Sequence, residues 1–212
     1  MKYPRLLLAA FTFGLLMGSV DAAETRRRGD LRMPDTLKVG TMAPDFKLRT
    51  IDGTGETQLS SYRGQRPVVL VFGSYTCPPF REQVGALEAL FDRYHDRVAF
   101  FMVYIKEAHP TDGWVMARNK QLGIEIKDAA TLAERTAAAQ TACTTLKIKL
   151  PCLIDGMDNS ANHAYAAWPD RIYVVDTAGK IAVMGATGPA GFAPSVSAAR
   201  AWLERAAPNP SR

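Results

Sequence analysis

The fold is decided by residues 68–80, which read VVLVFGSYTCPPF. The run from Val68 to Phe72 is continuously apolar and lies between a proline and a glycine, which is typical of a strand buried on both faces of a sheet. Cys77 follows this run, and Pro78 suits the first turn of a helix. The segment therefore predicts a buried strand, a short loop and a helix, with a cysteine at the helix N-terminus.

Cys77 is the first candidate for chemistry. A helix N-terminus presents unpaired backbone N–H groups and the positive end of the helix dipole, and both favour thiolate over thiol. We therefore expect an accessible nucleophile whose pKa is lower than that of a free thiol; an Sγ atom buried away from solvent would contradict this. Phe80 stands where a Cys-x-x-Cys site has its second cysteine. An oxidised Cys77 would need a second thiol from elsewhere.

The remaining apolar patterns define the fold class. They predict a short strand at 43–49, a helix from Pro78 to about His95, a second buried strand at 98–105, a helix at 131–142, an extended segment at 152–155, a hairpin at 172–176 and 181–184, and a closing helix at 194–205. A βαβ unit followed by ββα is the thioredoxin-like arrangement. We therefore predict an α/β fold with a central mixed sheet flanked by helices.

The two ends of the chain lie outside this domain. Residues 1–22 combine a basic start, an apolar stretch at 6–20 and a small-x-small cleavage site, which predicts a signal peptide and export to the periplasm or the exterior. An uncleaved membrane anchor through residues 6–20 is the alternative. We expect a flexible linker at 23–40, the folded domain at 41–206 and a disordered tail at 207–212.

Charge and cysteine usage restrict the partners. The net charge of +5 is spread along the 212 residues without an accompanying aromatic and basic module, which argues against nucleic-acid binding. The histidines and cysteines lack metal-ligand spacing, so no metal is expected. Cys143 and Cys152 are close enough in sequence to form a disulfide in an oxidising compartment. The other readings are two small buried side chains, or a thiol that resolves oxidised Cys77.

Three ordered blocks resemble the iodothyronine deiodinase family. Residues 72–80 are similar to its active-site segment, and Cys77 aligns with the selenocysteine of the vertebrate members. Residues 103–114, VYIKEAHPTDGW, resemble its second signature, and 155–162, DGMDNSAN, a third block. The resemblance spans about residues 67–205. Two departures are that Tyr75 stands where the family has a cysteine, and Ala129 is the nearest match to its second histidine.

The resemblance implies a thioredoxin-like fold and the reductive removal of a halogen from an aromatic substrate. On this reading Cys77 is the nucleophile that accepts the halogen. The partners are then a small-molecule substrate and a thiol electron donor, either a thioredoxin-like protein or a low-molecular-weight thiol. No cofactor beyond that external thiol is implied, and a homodimer is left open.

Five further residues receive roles from the same resemblance. Thr76 and the N–H groups that follow Pro79 would shape the electric field at the thiol. Glu107 and His109 would lie at the carboxyl end of the second buried strand, which in a parallel sheet faces the site. His109 would donate a proton or hold an acidic substrate group, and Glu107 would orient its imidazole. Trp114 would supply an aromatic wall.

Two other functions fit the residues. A thiol peroxidase would oxidise Cys77 to a sulfenate and resolve it with Cys143, Cys152 or an external thiol. A non-catalytic binding module could use the same scaffold, since fold does not determine function. A Cys77 pKa well below the free value favours a reactive thiol, whereas a normal or raised pKa favours the binding module.

Overall fold

The computed structural model describes residues 32–207. The predicted signal peptide or anchor, residues 23–31 of the predicted linker and residues 208–212 of the predicted tail lie outside the described residues. Within residues 32–207, no helix is both long and apolar enough to cross a membrane.

Seven strands and five α-helices make up the described part of the chain. The strands are β1 Lys47–Thr50, β2 Glu56–Gln58, β3 Val68–Gly73, β4 Ala99–Tyr104, β5 Cys152–Ile154, β6 Arg171–Val175 and β7 Ile181–Met184. The helices are α1 Pro78–Tyr94, α2 Ala117–Gln121, α3 Leu132–Leu146, α4 Ser160–Ala164 and α5 Phe192–Ala206, and a 3-10 turn spans Leu59–Tyr62.

All seven strands belong to one mixed sheet in the order β2-β1-β5-β4-β3-β6-β7. The central strands β3, β4 and β5 are parallel, and β6 runs antiparallel to β3. The first residue of β6, Arg171, therefore lies opposite Phe72 near the end of β3. This arrangement brings the loop before β6 to the edge of the sheet where β3 ends and Cys77 follows.

The two faces of the sheet are covered by different elements. Val71 of β3 and Met102 of β4 face the side of α1 that carries Phe80 and Leu87. Helix α3 lies on the same face, because β3, β4 and β5 advance in one direction through right-handed crossovers, and α5 packs on α1 and β6. The opposite face carries an aromatic cluster in which the ring of Tyr165 lies 5.1 Å from Phe72 and 5.0 Å from Tyr173.

The central elements agree with the sequence prediction. Every residue of β3 and β4 is buried, as the continuous apolar runs require. Helix α3 extends to Leu146, beyond the predicted end at Ala142, and Lys147 closes it in a left-handed conformation. The sequence prediction missed β2, α2 and α4, which have only three to five residues each and so show no measurable period.

Candidate active site

Cys77 occupies the N-cap position of α1, as the sequence predicts. Its thiol is only 1% exposed to solvent, and Sγ donates a hydrogen bond to Oδ2 of Asp170 at 3.2 Å. The pyrrolidine ring of Pro79 lies in the first helical turn. The cysteine therefore lies at the helix N-terminus, but its side chain is buried from solvent.

The predicted low pKa of Cys77 is wrong for this conformation. Burial raises the pKa of the thiol well above its ordinary value, and the negative charge of Asp170 raises it further. The backbone amide of Phe80 and the charge of Arg81 lower the pKa, but they do not prevail. The thiol is therefore protonated here, and its activation has to come from a neighbouring group or a local opening, not from the helix dipole alone.

Asp170 is the site residue that the sequence prediction missed. It precedes β6 and is completely buried, and burial raises the pKa of its carboxyl. Its Oδ1 atom accepts a hydrogen bond from the amide of Gly188 at 2.5 Å, and a Cβ atom at Gly188 would overlap this carboxylate. Asp170 could have been found from the antiparallel pairing of β6 with β3, because this pairing places the loop before β6 beside Cys77.

Thr76 joins the cysteine loop to the loop after β4. Its backbone N–H and its Oγ1 both donate to Oε2 of Glu107, at 3.0 and 2.5 Å. The same Oγ1 accepts a hydrogen bond from the amide of His109 at 3.0 Å. The structure thus brings Thr76, Glu107 and His109 together next to Cys77.

Glu107 is buried within a network of hydrogen bonds. Burial raises the pKa of its carboxyl, while its bonds to Thr76 and Tyr104 lower the pKa. The phenol of Tyr104 donates to Oε1 of Glu107 and accepts from the amide of Tyr75. The indole of Trp168 donates to the Glu107 carbonyl at 3.3 Å. A carboxyl held in this way can retain or exchange a proton near the thiol.

His109 and Trp114 lie together in the structure. Their rings are edge to face, with centroids 4.2 Å apart. Nδ1 of His109 lies 3.2 Å from the Trp114 carbonyl, and because a carbonyl only accepts, this nitrogen carries the hydrogen. Oγ1 of Thr76 links the Glu107 carboxylate to the backbone amide of His109.

Asn119 of α2 is a second residue that the sequence prediction missed. Its side chain is buried and donates to the Thr76 carbonyl at 2.7 Å. Its Oδ1 atom accepts from Arg81 at 2.7 Å, and Arg81 also donates to the Tyr75 carbonyl at 2.6 Å. This clamp fixes the backbone of the residues before Cys77. No sequence period could reveal it, because α2 is a single short turn.

A cavity of about 450 Å³ adjoins this network. Its wall combines apolar, cationic and polar side chains: His109, Thr111, Val115, Met116, Asn119, Lys120, Ile124, Glu125 and Lys127. Its volume is that of an ordinary small-molecule site. His109 and Asn119, which line the cavity, both bond to Thr76, the residue that precedes Cys77.

Cys143 and Cys152 lie apart from this site. All three cysteines of the chain are free thiols, so the Cys143–Cys152 disulfide, one of the arrangements that the sequence leaves open, is not formed here. Cys143 belongs to α3 and Cys152 to β5, two strands away from β3. Cys77 instead turns toward Asp170 on the β6 side. Across residues 32–207, no cluster of three or more metal-ligating side chains is present.

Comparison with known proteins places these blocks in a family. Residues 25–207 match the family described as iodothyronine deiodinase. Thyroxine 5-deiodinase of Homo sapiens is 37% identical over 170 residues, which cover 78% of this chain and 53% of the relative. Type II iodothyronine deiodinase of Mus musculus is 36% identical over 159 residues, covering 74% and 59%. The chain thus spans a little more than half the length of these relatives.

Solved structures share the fold. The thioredoxin domain of a thiol-disulfide oxidoreductase from Bacteroides vulgatus superposes with a TM-score of 0.52 at 15% identity, covering 79% of this chain and 99% of that chain. A thiol-disulfide oxidoreductase from Bacteroides fragilis gives 0.53 at 17% identity, covering 77% and 99%. At this identity the likeness shows the fold alone, and it confirms the predicted thioredoxin-like α/β architecture.

Proposed function

Because the chain belongs to the iodothyronine deiodinase family, we propose that it is a thiol-dependent oxidoreductase that removes a halogen from an aromatic substrate. Cys77 is the nucleophile. The observation that carries the proposal is the hydrogen bond from the Cys77 thiol to the buried Asp170 carboxylate. A buried carboxylate costs desolvation energy unless hydrogen bonds compensate it. Here one oxygen of Asp170 accepts from the Gly188 amide and the other accepts from the Cys77 thiol, which places a proton acceptor directly on the sulfur.

The first step transfers a proton and a halogen. Asp170 takes the thiol proton, and the Cys77 sulfur attacks the halogen, so that an S–X bond forms and the C–X bond breaks. The electron pair of the broken bond stays on the ring carbon, which then takes a proton from the site. The substrate is reduced, and Cys77 is oxidised to a sulfenyl halide.

External thiols complete the cycle. One thiol, RSH, attacks the Cys77 sulfur and expels the halide, leaving a mixed disulfide and a proton. A second thiol attacks the RS sulfur, which releases Cys77 as a thiol and forms RSSR. The net reaction consumes two thiols and yields one disulfide, one halide and one proton. Cys77 is the only protein thiol that this cycle requires.

The substrate class follows from the cavity. Val115, Met116 and Ile124 provide apolar surface for an aromatic ring, and Lys120 and Lys127 provide positive charge. A halogenated phenol that carries an acidic group matches this lining. Because the Cys77 thiol is buried, the proposal includes a local opening that exposes Sγ to the ring.

The proposed setting is an oxidising compartment reached through the N-terminal segment. The basic and apolar residues 1–22 support export, and a membrane anchor at 6–20 remains the alternative. A thioredoxin-like protein or a small thiol would act as electron donor, because the cycle requires a thiol that enters from outside. A homodimer stays a prediction. Fractionation of cells that produce the full chain distinguishes an exported from an anchored protein.

Halide release tests the activity. The reduced protein is incubated with iodinated and brominated phenols and a dithiol, and free halide is measured. We expect release by the wild type, loss in Cys77→Ala, and retention in Cys143→Ala, which removes a thiol that the cycle does not use. Absence of halide from the wild type across the series would refute the proposal.

The alternatives give different results in the same preparation. Rapid oxidation confined to Cys77 by one equivalent of peroxide, without halide release, would support a thiol peroxidase. A thiol that resists alkylation even at alkaline pH, again without halide release, would support a binding module. Burial raises the pKa of the Cys77 thiol, and a thiol that stays protonated would give this last result.

A further inference from the structure

Cys143 and Cys152 form a pair that the proposed cycle does not use. Helix α3 packs on β5, and the side of α3 next to Cys143 is completely buried at Ala139 and Ala142. Cys152 is the register partner of Met102, so it points to the face of the sheet that the helices cover. Both thiols therefore lie at the α3–β5 interface, where Cys143 packs against the buried cluster that contains Cys152.

The two members of the pair differ in exposure. Cys143 is partly exposed on the outer side of the interface, whereas Cys152 is buried beneath it. The interaction with Cys152 lowers the pKa of Cys143, and the same interaction together with burial raises the pKa of Cys152. This difference suits thiol–disulfide exchange, in which an accessible thiol attacks the external disulfide and a buried thiol then forms the intramolecular disulfide.

The pair is separate from Cys77. Strand β5 is two positions from β3, which is a lateral distance of about 10 Å. Cys152 pairs with Met102, two residues before β4 ends at Tyr104, whereas Cys77 lies beyond the end of β3. The Cys77 thiol bonds to Asp170 on the β6 side, away from β5. A direct disulfide from Cys77 to either thiol does not fit this geometry.

We propose that Cys143 and Cys152 form a second redox site, a dithiol that exchanges two electrons with low-molecular-weight disulfides. The Cys143 thiolate attacks one sulfur of a disulfide RSSR, forming a mixed disulfide and releasing RSH. Cys152 then gives up its proton and attacks the Cys143 sulfur, which forms the Cys143–Cys152 bond and releases the second RSH. The protein is oxidised by two electrons, and RSSR is reduced to two thiols.

A protein without Cys77 tests this site independently of the proposed dehalogenation. Cys77→Ala protein is equilibrated in glutathione and glutathione disulfide buffers, free thiols are blocked, and the product is identified by mass and by peptide mapping. We expect loss of two hydrogen atoms and one peptide link between residues 143 and 152. Adding Cys152→Ala should leave a glutathione adduct on Cys143, and adding Cys143→Ala should leave a single unmodified thiol.

Two outcomes would overturn the proposal. One is a glutathione adduct on Cys143 that persists although Cys152 is present. The other is a protein that keeps both thiols in oxidising buffer and forms the link only after denaturation. Far-ultraviolet circular dichroism of each variant shows whether it is folded. If a Cys152→Ala variant does not fold, the same product analysis of Cys77→Ala and Cys77→Ala/Cys143→Ala alone still decides between the outcomes.

Discussion

Replacement of Asp170 by asparagine separates thiol acidity from catalysis. An asparagine can keep the acceptor for the Gly188 amide and turn its NH₂ group toward Cys77, so the packing is preserved. The substitution removes the negative charge that raises the pKa of the thiol. A hydrogen bond to a charged group contributes about 1.5–3 kcal/mol. Loss of that interaction should lower the pKa of Cys77, and the thiolate fraction at a fixed pH should rise by about tenfold or more.

The same substitution removes the proton acceptor of the proposed first step. Halide release by Asp170→Asn should therefore fall by about a hundredfold, the usual effect of losing a general base. The assay pairs the rate of Cys77 alkylation as a function of pH with the rate of halide release. We expect a more acidic thiol and a slower enzyme in the same variant. Asp96→Asn, at an exposed carboxylate beyond the end of α1, is the matched control and should change neither rate.

An alkylation profile of Asp170→Asn that is unchanged, or that moves to higher pH, would contradict this expectation. Either result would mean that the carboxylate does not hold the thiol proton. A more acidic thiol combined with unimpaired halide release would retain the electrostatic account but remove Asp170 from the reaction.

Three further changes test the network and the packing around it. Thr76→Val should lower the free energy of unfolding in urea by about 1–3 kcal/mol, because it removes a donor to buried Glu107 and the hydroxyl oxygen that accepts from the His109 amide, whereas Thr76→Ser should cost less. Burial raises the pKa of Glu107, so its contribution to folding stability is full at low pH and is lost as the pH rises through the raised pKa. In unfolding curves measured across pH, Glu107→Gln should not show this loss of stability. An unchanged dependence of stability on pH in Glu107→Gln would contradict the assignment. Asp35→Asn should lower the unfolding free energy by about 1 kcal/mol, because the ion pair with buried Arg171 is open to solvent on the Asp35 side; no change in the urea midpoint would show that the pair contributes nothing.

The sequence predicted the elements whose signals are local and long. The apolar runs of β3 and β4 and the helical spacing of α1 are sufficient to predict these elements, because one recurring pattern of buried residues extends over each of them. The position of Cys77 at the start of α1 follows from Pro78 and the preceding strand. The placement of Glu107 and His109 beside it follows from the parallel pairing of β3 and β4.

The state of the thiol could not be predicted in this way. A helix N-terminus is visible in the sequence, but the depth at which it is buried depends on residues far along the chain. Asp170 lies 93 positions after Cys77, and Asn119 acts from a turn too short to carry a period. Their contributions depend on tertiary contacts, which outweigh the local effect of the helix dipole on the cysteine.

The entry of the chain into the domain also touches the reactive corner. Arg32 donates to the Gly188 carbonyl at 2.7 Å, and its charge lowers the pKa of Asp170. Three residues later, Asp35 holds the guanidinium of Arg171, which directly follows Asp170. In a shortened protein that starts after Asp35, Asp170 would therefore lack the positive charge of Arg32 that lowers its pKa. The segment that leads into the domain therefore helps to set, through Arg32 and Asp35, the proton balance at the Cys77 sulfur.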